Sequence, residues 1–388
     1  MSFLDTVGKV FGGAKSDSVV GVDIGSSSIK IVQLRKKGPQ AVLETYGELS
    51  LGPYAGTPVG SATNLPQEKI IEALRDLLAE KEVNITTNLC GVAIPFSSSL
   101  MAVIELPEVS SKELTDMIPI EARKYIPVPI SEVTLDWSII PKSEGPSMAE
   151  DDSASFQNSS LPPLSKNLAR KKANLVNVLI VAIHNETLSR MATVIDECKL
   201  TAGFFEIEIF STLRSVVEEN IQPVMILDMG AATTKLFIVE RGILQASHTV
   251  NFGGQDITAA IAASFGVSGD QAEVMKRTIG LTGTTTDGKS IAPVVSSSLQ
   301  YAFEEANRII VDFEKKFNKP VSQIIMIGGG AALKGLNVEA KKNFQTEVIS
   351  GDPFSKVVTP AFLEDVLRQT GPEFAVAVGL ALRRLEEL

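Results

Sequence analysis

Residues 19–34, VVGVDIGSSSIKIVQL, read as an apolar run, a break at Asp-x-Gly, a stretch of small hydroxyls and a second apolar run. Short apolar runs bounded by turn residues predict two buried strands joined by a hairpin. The pattern returns at 225–239, MILDMGAATTKLFIV, with aspartate, glycine and lysine at the same spacing. A third strand is predicted near 41–49 and a Gly/Pro-rich loop at 52–64. A helix follows from Pro66, with Ile70, Ile71, Leu74, Leu77 and Leu78 at helical spacing. CGVAIP at 90–95 predicts another buried strand, and the whole opens an α/β layer.

The character changes after residue 96. A capping box, Ser110 to Glu113, starts a helix that carries Pro119 in its middle, and EVTLDWSII predicts a strand. Residues 141–173 hold Ser, Pro, Asp and Asn without periodicity and predict a mobile loop. A strand at 175–183 and an amphipathic helix, NETLSRMATVIDECKL, complete what reads as an inserted subdomain over 97–202. The predicted organisation is therefore an arm at 1–17, a first lobe at 18–96 that resumes at 203–224, and a second lobe at 225–253 and 320–370. That second lobe carries its own subdomain at 254–319, and a final helix at 371–388 is expected to pack on the first lobe.

At 388 residues the chain exceeds one typical core. Its hydrophobic content of 44% and charged content of 21% are those of a globular protein. A net charge of −10, with no basic cluster longer than RKK at 170–172, argues against nucleic acid. Cys90 and Cys198 fit a reducing compartment, and with only His184 and His248 a zinc site is not expected. No run approaches the roughly 20 apolar residues of a membrane span, and no signal peptide is evident, so a cytoplasmic location is expected. Phe3, Leu4, Val7, Val10 and Phe11 share one helical face. That face suits a membrane surface, a partner or the protein's own body.

The repeat carries the chemistry. A turn built from Gly25, Ser26, Ser27 and Ser28, or from Gly230, Ala231, Ala232 and Thr233, lets backbone N–H groups approach an anion. Lys30 and Lys235 follow at equal spacing. Asp23 and Asp228 cannot bind an anion, but they can orient water around a Mg²⁺ that neutralises phosphate. Two such turns facing each other would grip a polyphosphate. Gly328, Gly329, Gly330 and Ala331 lie between a buried strand and a helix, where a ribose or purine can approach the backbone. Gly253 and Gly254 offer a further anion-friendly helix start, and Glu273, Lys276 and Arg277 share a face suited to a nucleoside. Neither the G-x-G-x-x-G fingerprint nor a P-loop occurs.

Together these motifs resemble the ATPase superfamily of actin, the 70-kDa heat-shock chaperones, sugar kinases and FtsA. DIGSSSIK looks like its first phosphate loop, DMGAATTK its second, IGGGAAL its adenosine segment, and AEVMKR its Glu-x-x-Lys-Arg nucleoside contact. The resemblance implies an actin-like fold of two duplicated lobes, binding ATP with Mg²⁺. An insert at 97–202 is where the FtsA branch carries its subdomain. The stretches LMAVIELPEVSSKELTDMIPIEARKYIPVPISEVTLDWSII and VLIVAIHNETLSRMATVIDECKLTAGFFEIE are similar to the PilM family of type IV pilus assembly. That likeness implies a scaffold at the inner face of the inner membrane. Its partners would be other pilus components and the short cytoplasmic tail of a PilN-like protein, gripped beside the insert. FtsA-like proteins end in a basic membrane-targeting helix, whereas ALRRLEEL stands here. That difference favours recruitment by a partner over the alternative of a division scaffold.

Turnover needs a general base in the cleft. GFFEIEIFS, read as a strand, places Glu206 and Glu208 on one face as the nearest candidates. A nucleotide-loaded scaffold with at most slow hydrolysis, a small-molecule phosphotransferase and a purely structural component all stand as readings. The first is favoured by intact loops and the lack of a sugar-like pocket.

Overall fold

The computed structural model describes residues 17–140, 175–218 and 222–387. The arm at 2–15 and the loop at 141–173 lie outside the described residues. The chain divides into two compact units, one of residues 99–185 and one formed by the rest.

The larger unit opens with β1 (Ser18–Ile24), β2 (Ser28–Lys37) and β3 (Gln40–Ser50), followed by α1 (Gln67–Ala79) and β4 (Leu89–Ile94). Val19, Val20 and Val22 are all fully buried, which explains why the run is continuous rather than alternating: both faces of β1 are covered. The smaller unit contains β5 (Ser99–Pro107), α2 (Ser111–Ala122), β6 (Val133–Ile140) and β7 (Leu175–His184). Its three strands pair in the order β5-β7-β6, antiparallel throughout. The Ser110–Glu113 capping box forms, and Leu114, Ile118 and Ala122 of α2 pack with Ile104, Val178 and Ile180 of the sheet.

Next come α3 (Asn185–Glu197), β8 (Thr201–Ile207) and α4 (Glu208–Val216). The small unit is narrower than the expected 97–202 because α3 and β8 belong to the larger one. Arg190 of α3 donates to the Leu65 carbonyl at 2.7 Å, Arg75 of α1 pairs with Glu197 at 2.8 Å, and β8 adds to β4 in parallel. GFFEIEIFS is not one strand either. The chain turns helical at Glu208 because Ile209 and Leu213 are spaced to bury one helical face.

The second lobe holds β9 (Val224–Met229), β10 (Thr234–Glu240), β11 (Ile243–Val250), α5 (Gly254–Phe265), α6 (Gly269–Thr278) and α7 (Ala292–Phe317). It continues through β12 (Gln323–Ile327), α8 (Leu336–Asn343) and β13 (Glu347–Ser350), and β14 (Val357–Val358), α9 (Glu364–Thr370) and α10 (Ala375–Glu387) end the chain's elements. The two large sheets run β14-β3-β2-β1-β4-β8 and β11-β10-β9-β12-β13. Apart from β14, each is an antiparallel meander of three strands extended by two parallel ones. The duplication inferred from two short motifs is thus a duplication of whole sheets. Leu299, Phe303, Ala306, Ile310 and Phe313 of α7 form one stripe over the second-lobe core.

α10 closes the first lobe, where Ala377, Val378 and Ala381 join a core with Val19, Val32 and Leu34. Its backbone lies directly on its neighbours. A Cβ at Gly21 of β1 would sit 1.9 Å from the Ala377 carbonyl oxygen, and one at Gly379 would sit 1.8 Å from that of Ser211 in α4. Such collisions cannot be relieved by rotating a side chain. Gly379→Ala is therefore expected to cost about 3 kcal/mol, the upper range for an overpacked core. Gly38→Ala, at φ +62° in open space, should cost only about 1 kcal/mol for its left-handed backbone. Urea unfolding of the two variants checks this, and equal midpoints would show that the helix crossing is not tight.

Candidate functional site

The two Asp-x-Gly hairpins are built alike. Asp23 lies directly across from Lys30 in the β1–β2 ladder, and Asp228 across from Lys235 in β9–β10. Gly25 N–H donates to the Ser28 carbonyl and Gly230 N–H to that of Thr233, each at 3.0 Å. The turn carbonyls are used elsewhere: Ser26 O accepts from Thr63, Ser27 O from Leu51, Gly230 O from Gly254 and Ala231 O from Gln255. Among the described residues, the N–H groups of Ser26, Ser27, Ala231, Ala232 and Thr233 have no protein acceptor. Two cradles of free donors on one cleft suit an anion with several charged oxygens.

That cleft holds about 360 Å³ and is lined by both turns, both aspartates and both lysines. Such a volume is in the range of small-molecule sites. Its electrostatics are strained by burial. Burial pushes the Asp23 carboxyl up to about 7, with Glu208 and Asp228 adding to the rise and Lys30 and Lys235 opposing it. Asp228 is raised for the same reason. Burial pulls Lys30 and Lys235 down, but the carboxylates beside them win and hold both above the usual lysine value. Lys30 pairs with Glu48 at 3.1 Å and Lys235 with Glu208 at 2.6 Å. Each turn therefore has one lysine shared between an aspartate across the ladder and a glutamate from elsewhere.

The glycine triplet divides its work. Gly328, at φ +84°, would place a Cβ 2.5 Å from Asp228 Oδ1, and Gly330 one 2.7 Å from Met229 Cβ, so these two let the segment pack on the end of β9. Gly329 faces the open cleft, where the nearest atom to its missing Cβ is Glu373 Oε2 at 3.8 Å. At the same end, Glu273 of α6 is 3% exposed and already committed. Its Oε2 accepts from Lys276 Nζ at 2.6 Å and Thr258 Oγ1 at 2.6 Å, and its Oε1 from Arg277 Nε at 2.7 Å. These partners outweigh burial and lower its carboxyl. The first-lobe loop at 52–64 seals this corner. Gly60 lies against Glu273, and Ala62 N–H donates to Gln255 Oε1 at 3.3 Å.

Of the residues expected from sequence, Asp23, Gly25, Ser26, Ser27, Ser28, Lys30, Asp228, Gly230, Ala231, Ala232 and Thr233 line this cleft. So do Gly254, Glu273, Lys276, Arg277, Gly328, Gly329, Gly330 and Glu208. Three expectations are corrected. Glu206 is buried away from the cleft, clamped by Arg214 at 2.7 Å and Arg383 at 2.9 Å, and serves to tie β8 to α4 and α10. Gly253 packs under the second turn, its Cβ position 2.3 Å from the Ala231 carbonyl oxygen. The helix start it opens is not free for an anion, since Gly253 N–H goes to Asp256 and the next two go to the turn. Ala331 packs against the second-lobe core, and Ala332 and Leu333 line the cleft instead. Glu48, Lys235, Gly60, Gln369 and Glu373 were not expected as site residues. Lys235 carried a usable signal, its exact repeat of Lys30; Glu48 and Glu373 arrive through strand pairing and a chain crossing that no local motif marks.

Two duplicated sheets, each offering an Asp-x-Gly turn to a shared cleft, define an actin-like fold. The model for the family of type IV pilus assembly protein PilM matches residues 21–153 and 164–385, and the chain belongs to that family. The solved PilM–PilN type IV pilus biogenesis complex is similar, at TM-score 0.73 and 24% identity over 95% of this chain and 98% of that one. Ethanolamine utilization protein EutJ from Carboxydothermus hydrogenoformans shares the fold at TM-score 0.52 and 15% identity, covering 98% of this chain and 97% of that one. Cell division protein FtsA of Escherichia coli K12 is 19% identical, covering 93% of this chain and 89% of its own length.

The raised Asp23 carboxyl has a sign that can be measured. Its proton is held in the folded state and released in the unfolded one at any pH between about 4 and 7. Its contribution to stability is thus best at low pH and is lost as pH rises through the folded value. In nucleotide-free protein, Asp23→Asn is expected to melt above wild type at pH 8, with the gap narrowing towards pH 4. Calorimetry across that range checks it; a constant gap would mean that burial does not penalise the charge.

Proposed function

We propose that this chain is the ATP-binding scaffold of a type IV pilus assembly complex, which holds the cytoplasmic tail of a PilN-like inner-membrane protein and works at the inner face of that membrane. The observation that carries the nucleotide half is the pair of turns of matching hydrogen-bond pattern with unsatisfied N–H groups on one cleft. The partner half is supported by membership of the PilM family and by likeness to the PilM of a PilM–PilN complex. Among the described residues no helix is long and apolar enough to cross a membrane.

The residues fit ATP with Mg²⁺. The turns at 25–28 and 230–233 with Lys30 and Lys235 would hold the phosphates, and Gly329 with Lys276 and Arg277 the nucleoside. Asp23 and Asp228 are half-buried carboxylates whose charge burial penalises and lysine only partly restores, a donor set that gains from a nearby cation. Among the described residues no group of three acidic, histidine or cysteine side chains forms a metal cage, so the ion would arrive with the phosphates through water. When bound, Mg²⁺ would neutralise phosphate oxygens. Glu208 is the carboxylate at this end, and its Oε1 already accepts from Lys235 and from Phe96 N–H at 2.6 Å each. A carboxylate so engaged is a poor general base, in keeping with slow turnover at most and against a phosphotransferase.

Titration of the full chain with ATP and Mg²⁺ should show binding, weakened at least about tenfold, or ~1.4 kcal/mol, by Asp23→Ala or Gly329→Val. A PilN-tail peptide should be captured by the protein, with an affinity that changes between nucleotide-free and ATP-loaded forms. No ATP binding by wild type would leave a structural component only, and no capture in either state would remove the partner.

A further inference from the structure

We infer that Glu208 is a coupling residue, which links occupancy of the second Asp-x-Gly turn to the segment that roots the small unit; the inference rests on the nucleotide reading of the cleft given above. Glu208 opens α4 and lines the cleft. A single oxygen, Oε1, accepts from two donors at 2.6 Å each, Lys235 Nζ and Phe96 N–H. The two donors belong to different parts of the chain. Lys235 lies on β10, two residues beyond the turn at 230–233. Phe96 opens the single helical turn Phe96–Ser98, and the small unit begins at the next residue, Ser99.

β10 holds that root a second time. Phe237 packs edge-to-face on Phe96, with ring centroids 4.9 Å apart and planes at 78°. Alternate residues of a strand share a face, so Lys235 and Phe237 act from the same side of β10. The two ties differ in kind. The aromatic one depends on shape, and Phe237 is buried and fixed. The polar one depends on where the Lys235 ammonium stands, at present between Glu208 and Asp228 Oδ2, which is 3.9 Å away.

With an anion in the second turn, Lys235 gains a further acceptor and turns towards it. Glu208 Oε1 cannot follow the ammonium and also keep Phe96 N–H, because the peptide group is fixed in the backbone. Two full charges attract more strongly than a carboxylate and a neutral N–H, so Glu208 goes with Lys235 and Phe96 N–H is released. The root of the small unit then keeps its aromatic tie alone. That unit exposes Tyr125 and Ile120, at 53% and 63%, and a tyrosine so placed is the kind of side chain that anchors a partner. Coupling of this kind is reciprocal: a partner bound through the small unit shifts ATP affinity by the same factor as ATP shifts its own.

The test is hydrogen exchange of the full chain, resolved to single amides, with and without ATP and Mg²⁺. In wild type, ATP should speed exchange at the Phe96 amide about fivefold, the effect of one lost hydrogen bond. Glu208→Gln keeps an acceptor for Phe96 N–H but not the charge that follows Lys235, so its Phe96 amide should exchange slowly in both states. Glu208→Ala should exchange fast there already in nucleotide-free protein. Titration with a PilN-tail peptide should give affinities that differ about fivefold between the two states of wild type and coincide in Glu208→Gln. A role in folding alone would not make either response depend on the charge of residue 208. ATP binding without faster exchange at Phe96, a response that persists in Glu208→Gln, or a peptide affinity blind to ATP overturns the inference while nucleotide binding stands. Failure of wild type to bind ATP overturns the nucleotide reading itself.

Discussion

Asp23 and Asp228 are carboxylates placed at the inner ends of buried strands, where water cannot solvate their charge. The lysine across the ladder in each hairpin, Lys30 or Lys235, opposes the cost most, and the lysine of the other hairpin adds to that opposition. Much of the molecule follows from that arrangement. Each lysine is itself half-buried and pairs with a second carboxylate, Glu48 from β3 or Glu208 from the start of α4, which supports its charge. The turns between Asp and Lys must be free of bulk so that their N–H groups can face an anion, and so Gly, Ser, Ala and Thr fill them. Half-buried carboxylates with raised pKa values gathered on one cleft are characteristic of functional sites rather than of a core.

The division of labour around the cleft is equally physical. The corner formed by Glu273, Lys276, Arg277 and Thr258 is saturated with its own hydrogen bonds and is closed by a loop from the other lobe. It acts as a fastening between the two lobes. In the triplet, Gly328 and Gly330 pack the segment on β9, and Gly329 alone opens to the cleft. A change in what occupies the cleft would therefore be felt at the loop of 52–64, which also ties back to the first turn through Thr63 and Ser26. A population shift between lobe arrangements has in this loop a material link.

How much of this was legible beforehand depends on how local each signal is. The hairpins could be read because strand, turn and strand lie within sixteen consecutive residues, and their recurrence predicted two lobes that the sheet orders bear out. EIEIF misled, because alternating Glu and Ile satisfies the period of a strand as well as the first turn of a helix with Ile209 inward. Only the structure shows that Glu206 and Glu208 face different surroundings. Glu48 enters by pairing with Lys30 in the β2–β3 ladder, and Glu373 by the return of the chain from the second lobe to the first. Gly253 shows the converse error. A glycine pair before a helix looks open to ligands, yet one N–H is taken by the Asp256 carboxylate and the other by the adjoining turn.

α10 sits against β1 at Gly21 and against α4 at its own Gly379, and its Arg383 completes the clamp on Glu206. The first lobe therefore borrows its last layer from a segment that the ribosome makes only after the entire second lobe. Until then the apolar faces of Val19, Val32 and Leu34 have no cover, and Ala375 and Val376, which line the cleft, have not yet been synthesised. Vectorial folding from the amino end cannot finish this protein lobe by lobe. The nascent chain must hold an unfinished sheet until its last helix arrives.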